Sequence, residues 1–437
     1  MIKISPLQKI KKEIEIPSDK SISHRALMIS SLSKGKTRIR NFLQSHDTLI
    51  TLNCFKKLNV GITYKKKDKE VIINSGGSYF DAPKKLNLYS GESGTTIRLI
   101  SGILAGQRFI SCLSAAPSLE KRPMKRITFP LRLMGADIQG REEAGNEYPP
   151  LSIKPVKGLH SIIYKTPVAS AQIKSAIIFA SLFSKGITKI KEPFISRDHT
   201  ERMLKFFGAK LKKQSGYILV EKSKLKTPGE ILIPGDFSSA AFFVTLGLIL
   251  KNSELRVKNV GLNSTRTGLI PALKSMGAKI RILHKNRSYF EPYGDILIES
   301  SSLKGITIKQ EDIPLMIDEI PLLMICACFA RGTTKIYGLK ELRVKETDRI
   351  TSMVYNLKKA GQDIETKSYK SGKETNWMVK IKGGKRIRPA EFKSFSDHRT
   401  AMSLIIFALA SEKGGGIDDI ECINKSFPGF ISIVDSL

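Results

Sequence analysis

Six stretches of the chain share one pattern, in which a cluster of polar residues precedes a run of small and apolar residues. The runs read ALMISSLS, LISGILA, AIIFASLF, AAFFVTLGLIL, PLLMICACFA and AMSLIIFALA. Because the runs are apolar nearly all round, they predict helices that lie inside a domain, enclosed by sheets or by other helices. Each run stops at a residue that suits a left-handed helix end. The stop residues are Gly35, Gly106, Gly186, Asn252, Gly332 and Gly414.

A second pattern alternates with the first and predicts an amphipathic helix that leads into a strand. LRLMGADI ends at Gly135, LKFFGAKL at Gly208 and LKSMGAKI at Gly277, with degraded copies at Gly361 and near Gly61. The alternation predicts a unit of strand, helix, strand, helix and two further strands. Three such βαβαββ units in each half give two similar α/β domains with buried parallel helices, an inside-out α/β barrel. The best midpoint is Pro234-Gly235-Asp236.

The composition is that of a globular protein, and the cysteine pattern predicts a protein of the reducing cytoplasm. Of 437 residues, 41% are hydrophobic and 26% charged, which argues against disorder. Apolar runs such as Met402 to Ala410 are too short to span a bilayer, and the N-terminal MIKISPLQKIKKEIEIP does not have the pattern of a secretory signal. The five cysteines form no Cys-x-x-Cys pair, so we expect neither a disulfide framework nor a zinc site.

The charge of the chain changes this picture, because lysine and arginine exceed the acidic residues by 33. Such an excess suits nucleic acid, a membrane surface or anionic small substrates. It also suits a protein that simply uses lysine at solvated positions, as in the short run Lys65-Lys66-Lys67. Trp377 is the single tryptophan, and no basic stripe alternates with aromatic residues. A basic RNA-binding or RNA-processing protein stays open as an alternative.

The polar clusters before the six apolar runs are the candidate sites of chemistry. If the buried helices are parallel, their N-termini converge on one face of each domain, where helix dipoles and N–H groups favour anions. Cations at several of these ends then predict a site for more than one phosphate or carboxylate. The clusters are Lys20 to Arg25, Glu92 to Arg98, Ser170 to Lys174, Asp236 to Ser239, Asp318-Glu319 and Ser396 to Arg399. At Asp236 to Ser239 we expect N-capping alone.

Three further clusters carry charge: Arg122-Pro123-Met124, Ser196 to Glu201, and Arg343 to Arg349. A helical reading of the last one places Lys345 and Arg349 on one face, four residues apart. Glu346 then lies beside cations, which lower the pKa of a carboxyl group unless burial raises it. An ordinary salt-bridged surface helix has the same pattern.

At this point the motifs resemble those of a known family, the 5-enolpyruvylshikimate-3-phosphate synthases or 3-phosphoshikimate 1-carboxyvinyltransferases. The resemblance covers essentially the whole chain and is closer to the family's class II branch. The motifs are KSISHR from Lys20, GESGTTIR from Gly91, RPM from Arg122, SAQIKSA from Ser170, SRDHTE from Ser196, LRVKETDR from Leu342, DHR from Asp397 and KSFP from Lys425.

The resemblance implies two domains of three βαβαββ units, with the active site in the cleft between them. It implies a continuous domain of residues 20–235 and a second domain of residues 1–19 plus 236–437. The implied reaction transfers the enolpyruvyl group of phosphoenolpyruvate to the 5-hydroxyl of shikimate 3-phosphate. The reaction proceeds by addition followed by elimination, in which phosphate is released, and it needs no metal and no cofactor. The implied setting is the shikimate pathway of a cytoplasmic, monomeric enzyme that needs no nucleic acid or membrane.

The resemblance also implies roles for individual residues. Asp318 is the expected base for the 5-hydroxyl, and Glu346 with Lys20 is expected to exchange a proton at the methylene carbon. The residues expected at shikimate 3-phosphate are Lys20, Ser21, Arg25, Ser170, Gln172, Ser196, Arg197, Asp318 and Lys345. The residues expected at phosphoenolpyruvate are Lys20, Gly94, Arg122, Gln172, Arg349, Arg399 and Lys425.

A related family, UDP-N-acetylglucosamine 1-carboxyvinyltransferase, has the same repeats and stays open as the nearest alternative. It usually places a cysteine five residues before the arginine of its RP motif. Here that position is Pro117, and the nearest thiol is Cys112. The DHR and KSISHR motifs also favour the shikimate enzyme.

Overall fold

The computed structural model describes residues 2–286, 289–372 and 374–437, and for Glu374 and Lys425 the backbone alone. Two compact units divide the chain. The first domain is Ser18–Ile233, and the second domain combines Met1–Pro17 with Pro234–Leu437. The second domain therefore begins before the first domain and continues after it.

Two strands precede the first domain, namely β1 (Ile2–Ile4) and β2 (Lys11–Glu15). The elements of the first domain then follow in chain order. They are α1 (Lys20–Leu32), β3 (Ser33–Arg40), α2 (His46–Lys57), β4 (Gly61–Lys65), β5 (Glu70–Gly76), β6 (Lys85–Tyr89), α3 (Gly94–Leu104), β7 (Ile110–Ser114), α4 (Pro117–Glu120), α5 (Lys125–Leu133), β8 (Asp137–Glu143), β9 (Asn146–Lys154), β10 (Ile163–Lys165), α6 (Ala171–Ser181), β11 (Ile187–Lys191), α7 (His199–Phe206), β12 (Leu211–Gln214), β13 (Tyr217–Glu221), β14 (Leu225–Lys226) and β15 (Glu230–Leu232).

The remaining elements belong to the second domain, with 3₁₀ turns at Gln310–Asp312, Lys340–Val344 and Glu421–Lys425. They are α8 (Phe237–Ile249), β16 (Glu254–Gly261), α9 (Leu269–Ser275), β17 (Lys279–Asn286), β18 (Tyr293–Glu299), β19 (Thr307–Ile308), α10 (Ile313–Met316), α11 (Ile320–Phe329), β20 (Thr333–Tyr337), α12 (Arg349–Lys359), β21 (Asp363–Ser371), β22 (Glu374–Lys382), β23 (Glu391–Phe392), α13 (His398–Leu409), β24 (Gly415–Ile417) and α14 (Phe430–Asp435).

The first domain contains the predicted repeat three times. Two sheets have the strand orders β6-β7-β9-β8 and β10-β11-β13-β12, each built from one continuous βαβαββ unit. In the third sheet, β14 and β15 from the end of the domain pair in parallel with β3, beside β5 and β4. In this sheet, the position that the first strand of a unit occupies in the other two sheets is therefore taken by β14 and β15, the last strands of the domain along the chain.

The second domain contains the repeat twice in full and once in a shortened form. Its complete sheets are β2-β16-β18-β17 and β19-β20-β22-β21. The sixth unit differs from the prediction, because its described sheet has three strands in the order β1-β24-β23. The N-terminal strand β1 pairs antiparallel with β24 and occupies the edge where the other units have a hairpin.

The apolar runs form buried helices, as their pattern predicts. Every residue from Phe237 to Leu248 of α8 is buried, and so is every residue from Ile320 to Cys328 of α11. Helices α1, α3, α6 and α13 are buried along most of their length. Close contact requires a glycine in α3, because a Cβ at Gly102 would lie 2.1 Å from the carbonyl oxygen of Ala176.

Helix ends explain the alternating glycines. The residues after α5, α7, α9 and α12 have φ between +81° and +95°, a region that favours glycine. These four residues are Gly135, Gly208, Gly277 and Gly361. The six stops after the apolar helices do not end these helices as predicted. Five of them have positive φ but lie three to five residues past the last helical residue, with Gly35 inside β3. Gly106 has no positive φ, and a Cβ there would lie 2.2 Å from the ring of Phe183. Across the described residues, no helix has the length and hydropathy needed to cross a membrane.

Candidate active site

The first polar cluster lies at the start of α1. Asp19 caps this helix, with its side chain accepting a hydrogen bond of 2.8 Å from the backbone N–H of Ile22. Lys20 is the first helical residue, and its Nζ lies 2.5 Å from Oδ2 of Asp47 on α2. The ammonium group is therefore held beside the N-terminal end of α1, where an anion is favoured.

Arg25 lies one turn further along α1 and is buried. Its Nε donates to Oγ1 of Thr200 at 2.6 Å, and its Nη2 donates to Oγ of Ser175 at 3.1 Å. Its Nη1 donates to the carbonyl oxygen of Ser21 at 3.0 Å. The guanidinium group thus connects α1 with α6 and α7, which fixes its position.

The starts of α3 and α6 meet through a second arginine. Arg98 donates to Oε1 of Gln172 at 3.1 Å, and Gln172 donates to Oγ1 of Thr95 at 3.3 Å. A Cβ at Gly94 would lie 2.5 Å from Nη1 of Arg98 and 3.4 Å from Nη1 of Arg122. Two guanidinium groups therefore lie against the first residue of α3, and the missing side chain of Gly94 leaves room for them.

The remaining predicted residues of the first domain lie on loops before α6 and α7. Ser170 caps α6 by accepting a hydrogen bond of 3.4 Å from the N–H of Ile173. Ser196 is buried and donates its hydroxyl to Oε1 of Glu192 at 2.5 Å. Arg197 is half-buried beside it. The hydroxyl of Ser196 is thus engaged with a carboxylate, whereas its backbone carbonyl points to another cation.

That cation is Lys174, which is 1% exposed. Its Nζ lies 2.8 Å from Oε2 of Glu192 and 2.8 Å from Oε1 of Glu201, and it donates to the carbonyl oxygen of Ser196 at 3.3 Å. Burial acts to lower the pKa of Lys174, but the two carboxylates outweigh burial and raise it. Lys174 therefore stays charged and ties the Ser196 loop to α6.

In the second domain the predicted residues Arg349 and Arg399 meet at Asp318, which lies two residues before the start of α11. Oδ1 of Asp318 accepts a hydrogen bond of 3.2 Å from Nη1 of Arg349 and lies 3.7 Å from Nε of Arg399. The carbonyl oxygen of Asp318 accepts a hydrogen bond of 3.2 Å from Nη1 of Arg399. The carboxylate, 14% exposed, is thus held next to two guanidinium groups.

Arg349 connects this carboxylate with two others. Its Nε donates to Oδ2 of Asp397 at 2.9 Å, and its Nη2 donates to Oε2 of Glu346 at 2.5 Å. Burial acts to lower the pKa of Arg349, but the carboxylates of Glu346, Asp397 and Asp318 outweigh it and raise the pKa. Arg349 therefore keeps its charge although it is 2% exposed.

Asp397 both caps α13 and binds Arg349. Its Oδ1 accepts from the N–H groups of Arg399 and Thr400 at 2.8 Å and 2.9 Å. Burial acts to raise the pKa of Asp397, but the positive charge of Arg349 outweighs it, so the pKa is lowered. Burial lowers the pKa of His398 to about 4, which leaves this histidine neutral at neutral pH. The DHR motif therefore fixes a helix start and two arginines together.

The segment before α12 is not the continuous helix that the sequence suggested. Lys345 follows a 3₁₀ turn in extended conformation, and α12 begins only at Arg349, after its cap Asp348. The prediction that Lys345 and Arg349 share a helical face is therefore wrong. Lys425 lies at the end of another 3₁₀ turn, and its side chain is outside the described part of the chain.

Several residues of these clusters were missed by the motif analysis as site residues. Arg98 lay within a quoted cluster without a role, and Glu319 was noted only as part of a dipeptide. Lys174 was counted among the cations at the helix starts, but it is paired with Glu192 and Glu201 instead. Arg266 was not noticed at all, because it lies in the polar segment Asn263 to Thr267, which resembles an ordinary turn. Its burial in a charged cluster would have required knowledge of the tertiary fold.

The two domains together present cations, hydroxyls and carboxylates at the starts of buried helices. Within the described residues, no group of three or more histidine, cysteine, aspartate and glutamate side chains is arranged to hold a metal ion. Fixed guanidinium and ammonium groups stabilise developing negative charge, and carboxylates accept and donate protons. This fold and these clusters define an enzyme class that acts on anionic substrates by acid–base chemistry.

Comparison with known proteins narrows this class to one family. The family model of EPSP synthase (3-phosphoshikimate 1-carboxyvinyltransferase) matches residues 4–434. The 3-phosphoshikimate 1-carboxyvinyltransferase of Petrotoga mobilis is 46% identical over 437 residues, covering 100% of this chain and 99% of that protein. The enzyme of the same name from Bacillus subtilis is 44% identical, covering 100% and 99%. The chain belongs to the EPSP synthase family and is an enolpyruvyl transferase of the shikimate pathway.

Solved structures agree in fold. EPSP synthase from Acinetobacter baumannii has a TM-score of 0.87 and 40% identity, with 100% of this chain and 97% of that chain covered. The enolpyruvyl transferase NikO from Streptomyces tendae has a TM-score of 0.75 at 13% identity, with the same coverage of 100% and 97%. The second likeness concerns the fold alone. Both agree with the predicted α/β architecture of repeated units.

Proposed function

We propose that the clusters at the helix starts of the two domains carry out the family's reaction. In this reaction the enolpyruvyl group of phosphoenolpyruvate passes to the 5-hydroxyl of shikimate 3-phosphate, and phosphate leaves. The observation that best supports this proposal is the contact of Asp318 with Arg349 and Arg399. A carboxylate held next to two guanidinium groups places a proton acceptor beside cations that suit an anionic substrate.

The sugar phosphate is assigned mainly to the first domain. Arg25, fixed by Thr200 and Ser175, supplies a guanidinium group for it, and Lys20 supplies a mobile ammonium group. From the second domain, Asp318 meets the 5-hydroxyl. The full set proposed for shikimate 3-phosphate is Lys20, Ser21, Arg25, Ser170, Gln172, Ser196, Arg197, Asp318 and Lys345.

Phosphoenolpyruvate is assigned to cations of both domains. Arg122 lies against Gly94, and Arg349 and Arg399 lie against Asp318. Guanidinium groups pair with carboxylate or phosphate through two parallel hydrogen bonds, which fixes the orientation of the substrate. The full set proposed for phosphoenolpyruvate is Lys20, Gly94, Arg122, Gln172, Arg349, Arg399 and Lys425.

The chemical steps follow from these assignments. Asp318 removes the proton of the 5-hydroxyl, whose oxygen bonds to C2 of phosphoenolpyruvate, while Glu346 and Lys20 deliver a proton to the methylene carbon. The resulting tetrahedral ketal then loses one methyl proton and its phosphate group, which restores the carbon–carbon double bond. Glu346 is 39% exposed and paired with Arg349, so a substrate that arrives from solvent can reach this carboxylate.

Each domain carries part of both proposed sets. One chain holds all of these residues, so a monomer suffices for activity. A biosynthetic enzyme with free cysteines is suited to the reducing cytoplasm.

The test is a phosphate-release assay with phosphoenolpyruvate and either shikimate 3-phosphate or UDP-N-acetylglucosamine as acceptor. We expect release with shikimate 3-phosphate only. Release with the nucleotide sugar would favour the related transferase. Salt-sensitive RNA binding without phosphate release would favour the RNA-binding alternative that the net charge of +33 suggests.

A further inference from the structure

We propose that Arg266 is a positioning residue for Asp318, holding its carboxylate in place and keeping it ionised during turnover. This inference rests on the proposed function, in which Asp318 is the base. Arg266 precedes α9 and is 3% exposed. No motif quoted for the family contains it, and it is not among the residues assigned to either substrate.

The guanidinium group of Arg266 joins two helix starts. Its Nη2 lies 3.3 Å from Oδ1 of Asp236, the cap of α8, and also contacts Oγ of Ser238. Its Nη1 lies 3.3 Å from Oε1 of Glu319 and 3.6 Å from Oδ2 of Asp318 at the start of α11. A planar fork can reach both helix starts at once, which a single ammonium group cannot do.

Glu319 lies between Arg266 and a second cation, Arg399, and allows the two to lie close together. The side chain of Glu319 is fully buried, and its Oε1 lies 3.3 Å from Arg266 and 3.8 Å from Nη1 of Arg399. Ser238 also donates its hydroxyl to this oxygen. The carboxylate offsets the repulsion between the two guanidinium groups, so both can lie close to Asp318.

The two oxygens of Asp318 therefore meet different cations. Oδ1 faces Arg349 and Arg399, both of which are assigned to phosphoenolpyruvate, whereas Oδ2 faces Arg266. When an anionic substrate engages the first two, part of their charge is offset and the pKa of a nearby carboxyl group rises. Arg266 is buried behind the site and keeps its charge there. It thus holds Asp318 in the form that can accept a proton.

Other charged groups around Asp318 bear on the same titration. Glu319, the residue before α11, is its neighbour in sequence, and Asp236 is connected to it through Arg266. The remaining charged or titratable groups are Glu346 before α12, Arg349 at the start of α12, and Asp397, His398 and Arg399 at the start of α13. The pH profile of an Arg266 variant therefore has to be compared with that of a variant in which all of these groups are unchanged.

The experiment measures kcat against pH at saturating concentrations of both substrates. In Arg266→Met, we expect the acidic limb of the profile to move up by about one pH unit or more, since an opposite charge at this distance lowers a carboxyl pKa by roughly 1–3 units. Arg266→Lys keeps the charge and should leave the limb nearer to that of the unmodified enzyme. A limb that does not move in Arg266→Met overturns the inference.

A matched control is Arg256→Met, which breaks ion pairs with Glu13 and Asp295 on the β16 sheet and should leave the limb in place. Should Arg266→Met fail to fold, Asp236→Asn gives a second readout. Asparagine retains the cap of α8 but removes a negative charge from Arg266, so the limb should move to lower pH. An unmoved limb in Asp236→Asn overturns the inference as well.

Asp318→Asn separates this inference from the proposed function. Turnover retained in Asp318→Asn removes Asp318 as the base, and the inference with it. Turnover lost in Asp318→Asn together with an unmoved limb in Arg266→Met leaves the base in place and overturns only the role of Arg266.

Discussion

Each domain has a buried cation whose carboxylate partners raise its pKa, Lys174 in the first and Arg349 in the second, and the two cations are used differently. Lys174 in the first domain contacts Glu192 and Glu201, whose side chains are 8% and 3% exposed. Arg349 in the second domain contacts Asp397, which is inaccessible, and Glu346, which is 39% exposed. The lysine is thus enclosed with its partners, whereas the arginine links the interior to a carboxylate in solvent.

From this difference we infer a structural role for Lys174 and, on the proposed function, a chemical role for Arg349. An ammonium group is a compact point charge, and around Lys174 it neutralises buried carboxylates and holds a loop carbonyl. A guanidinium group has donors in a fixed fork, and Arg349 uses them to set three carboxylates at defined directions. Loss of the lysine should therefore affect stability first, and loss of the arginine should affect turnover first.

The largest expected effect is on stability, in Lys174→Met. The change leaves Glu192 and Glu201 buried without their cation, and breaking such a buried pair costs about 3–5 kcal/mol. Denaturant unfolding followed by circular dichroism measures it. The control is Lys213→Met, because Lys213 is more than half exposed and lies 3.6 Å from Asp198, so its loss should cost at most about 1 kcal/mol. Equal losses in both variants would contradict the contrast.

The second effect is on turnover, in Arg349→Lys. One ammonium group cannot replace three directed contacts, and loss of a fixed donor at a developing charge lowers kcat by about 100–1,000-fold. Steady-state phosphate release measures this change. Arg343→Lys is the control, because Cζ of Arg343 lies 3.9 Å from the centre of the Trp377 ring and its guanidinium group pairs with Asp348. We expect turnover in Arg343→Lys to stay near that of the unmodified enzyme. Unchanged turnover in Arg349→Lys would break the comparison.

The third effect concerns the pH dependence of stability, and it has opposite signs for Lys174 and for Asp397. The raised pKa of Lys174 means that its contribution to stability is complete below the ordinary lysine pKa and is lost as pH rises through the folded value. The lowered pKa of Asp397 means that its contribution is present above the ordinary aspartate pKa and is lost as pH falls through the folded value. Unfolding free energy measured against pH should fall less steeply on the alkaline side in Lys174→Met and less steeply on the acid side in Asp397→Asn. Part of the acid fall should remain, because carboxyl groups such as Asp47 and Asp295 also have a lowered pKa. Profiles with both falls unchanged would contradict the assignment.

The smallest effect is expected at the thiols. Burial raises the pKa of Cys54 and of Cys326 to about 12, so both are uncharged at neutral pH. Cys112 is half-buried on β7. Turnover in Cys112→Ser should match that of the unmodified enzyme. A loss of several orders of magnitude would favour the thiol-dependent relative instead.

The sequence predicted the scaffold well because its signals are local. Apolar runs became buried helices, and Cys326 and Cys328 lie in the core as expected. The amphipathic helices end at the glycines of their pattern, as predicted, and these glycines have positive φ. Gly106 is an exception that local reasoning could not identify, because the contact with Phe183 that requires glycine comes from a residue distant in sequence.

The site was predicted in its residue types more than in its connections. Motifs named Asp318, Arg349 and Arg399, but their pairing depends on three helix starts that meet only in the folded domain. Arg266 lies 52 residues before Asp318 in a segment that resembles a turn, so no periodicity indicated its burial. The helical reading of Lys345 failed because Asp348 caps α12 and thereby begins the helix later.

The split of the second domain sets an order for the synthesis of the chain. Strand β2 leaves the ribosome early, but its parallel partner β16 begins at Glu254, after the entire first domain. The partner of strand β1 is synthesised still later, because β1 pairs with β24 at Gly415–Ile417. Until then the N-terminal segment is an unpaired strand edge, which invites pairing with other chains. The exposed charges of Lys11, Lys12 and Glu13 oppose such pairing, so we expect residues that contribute little to the finished core to keep the nascent chain soluble.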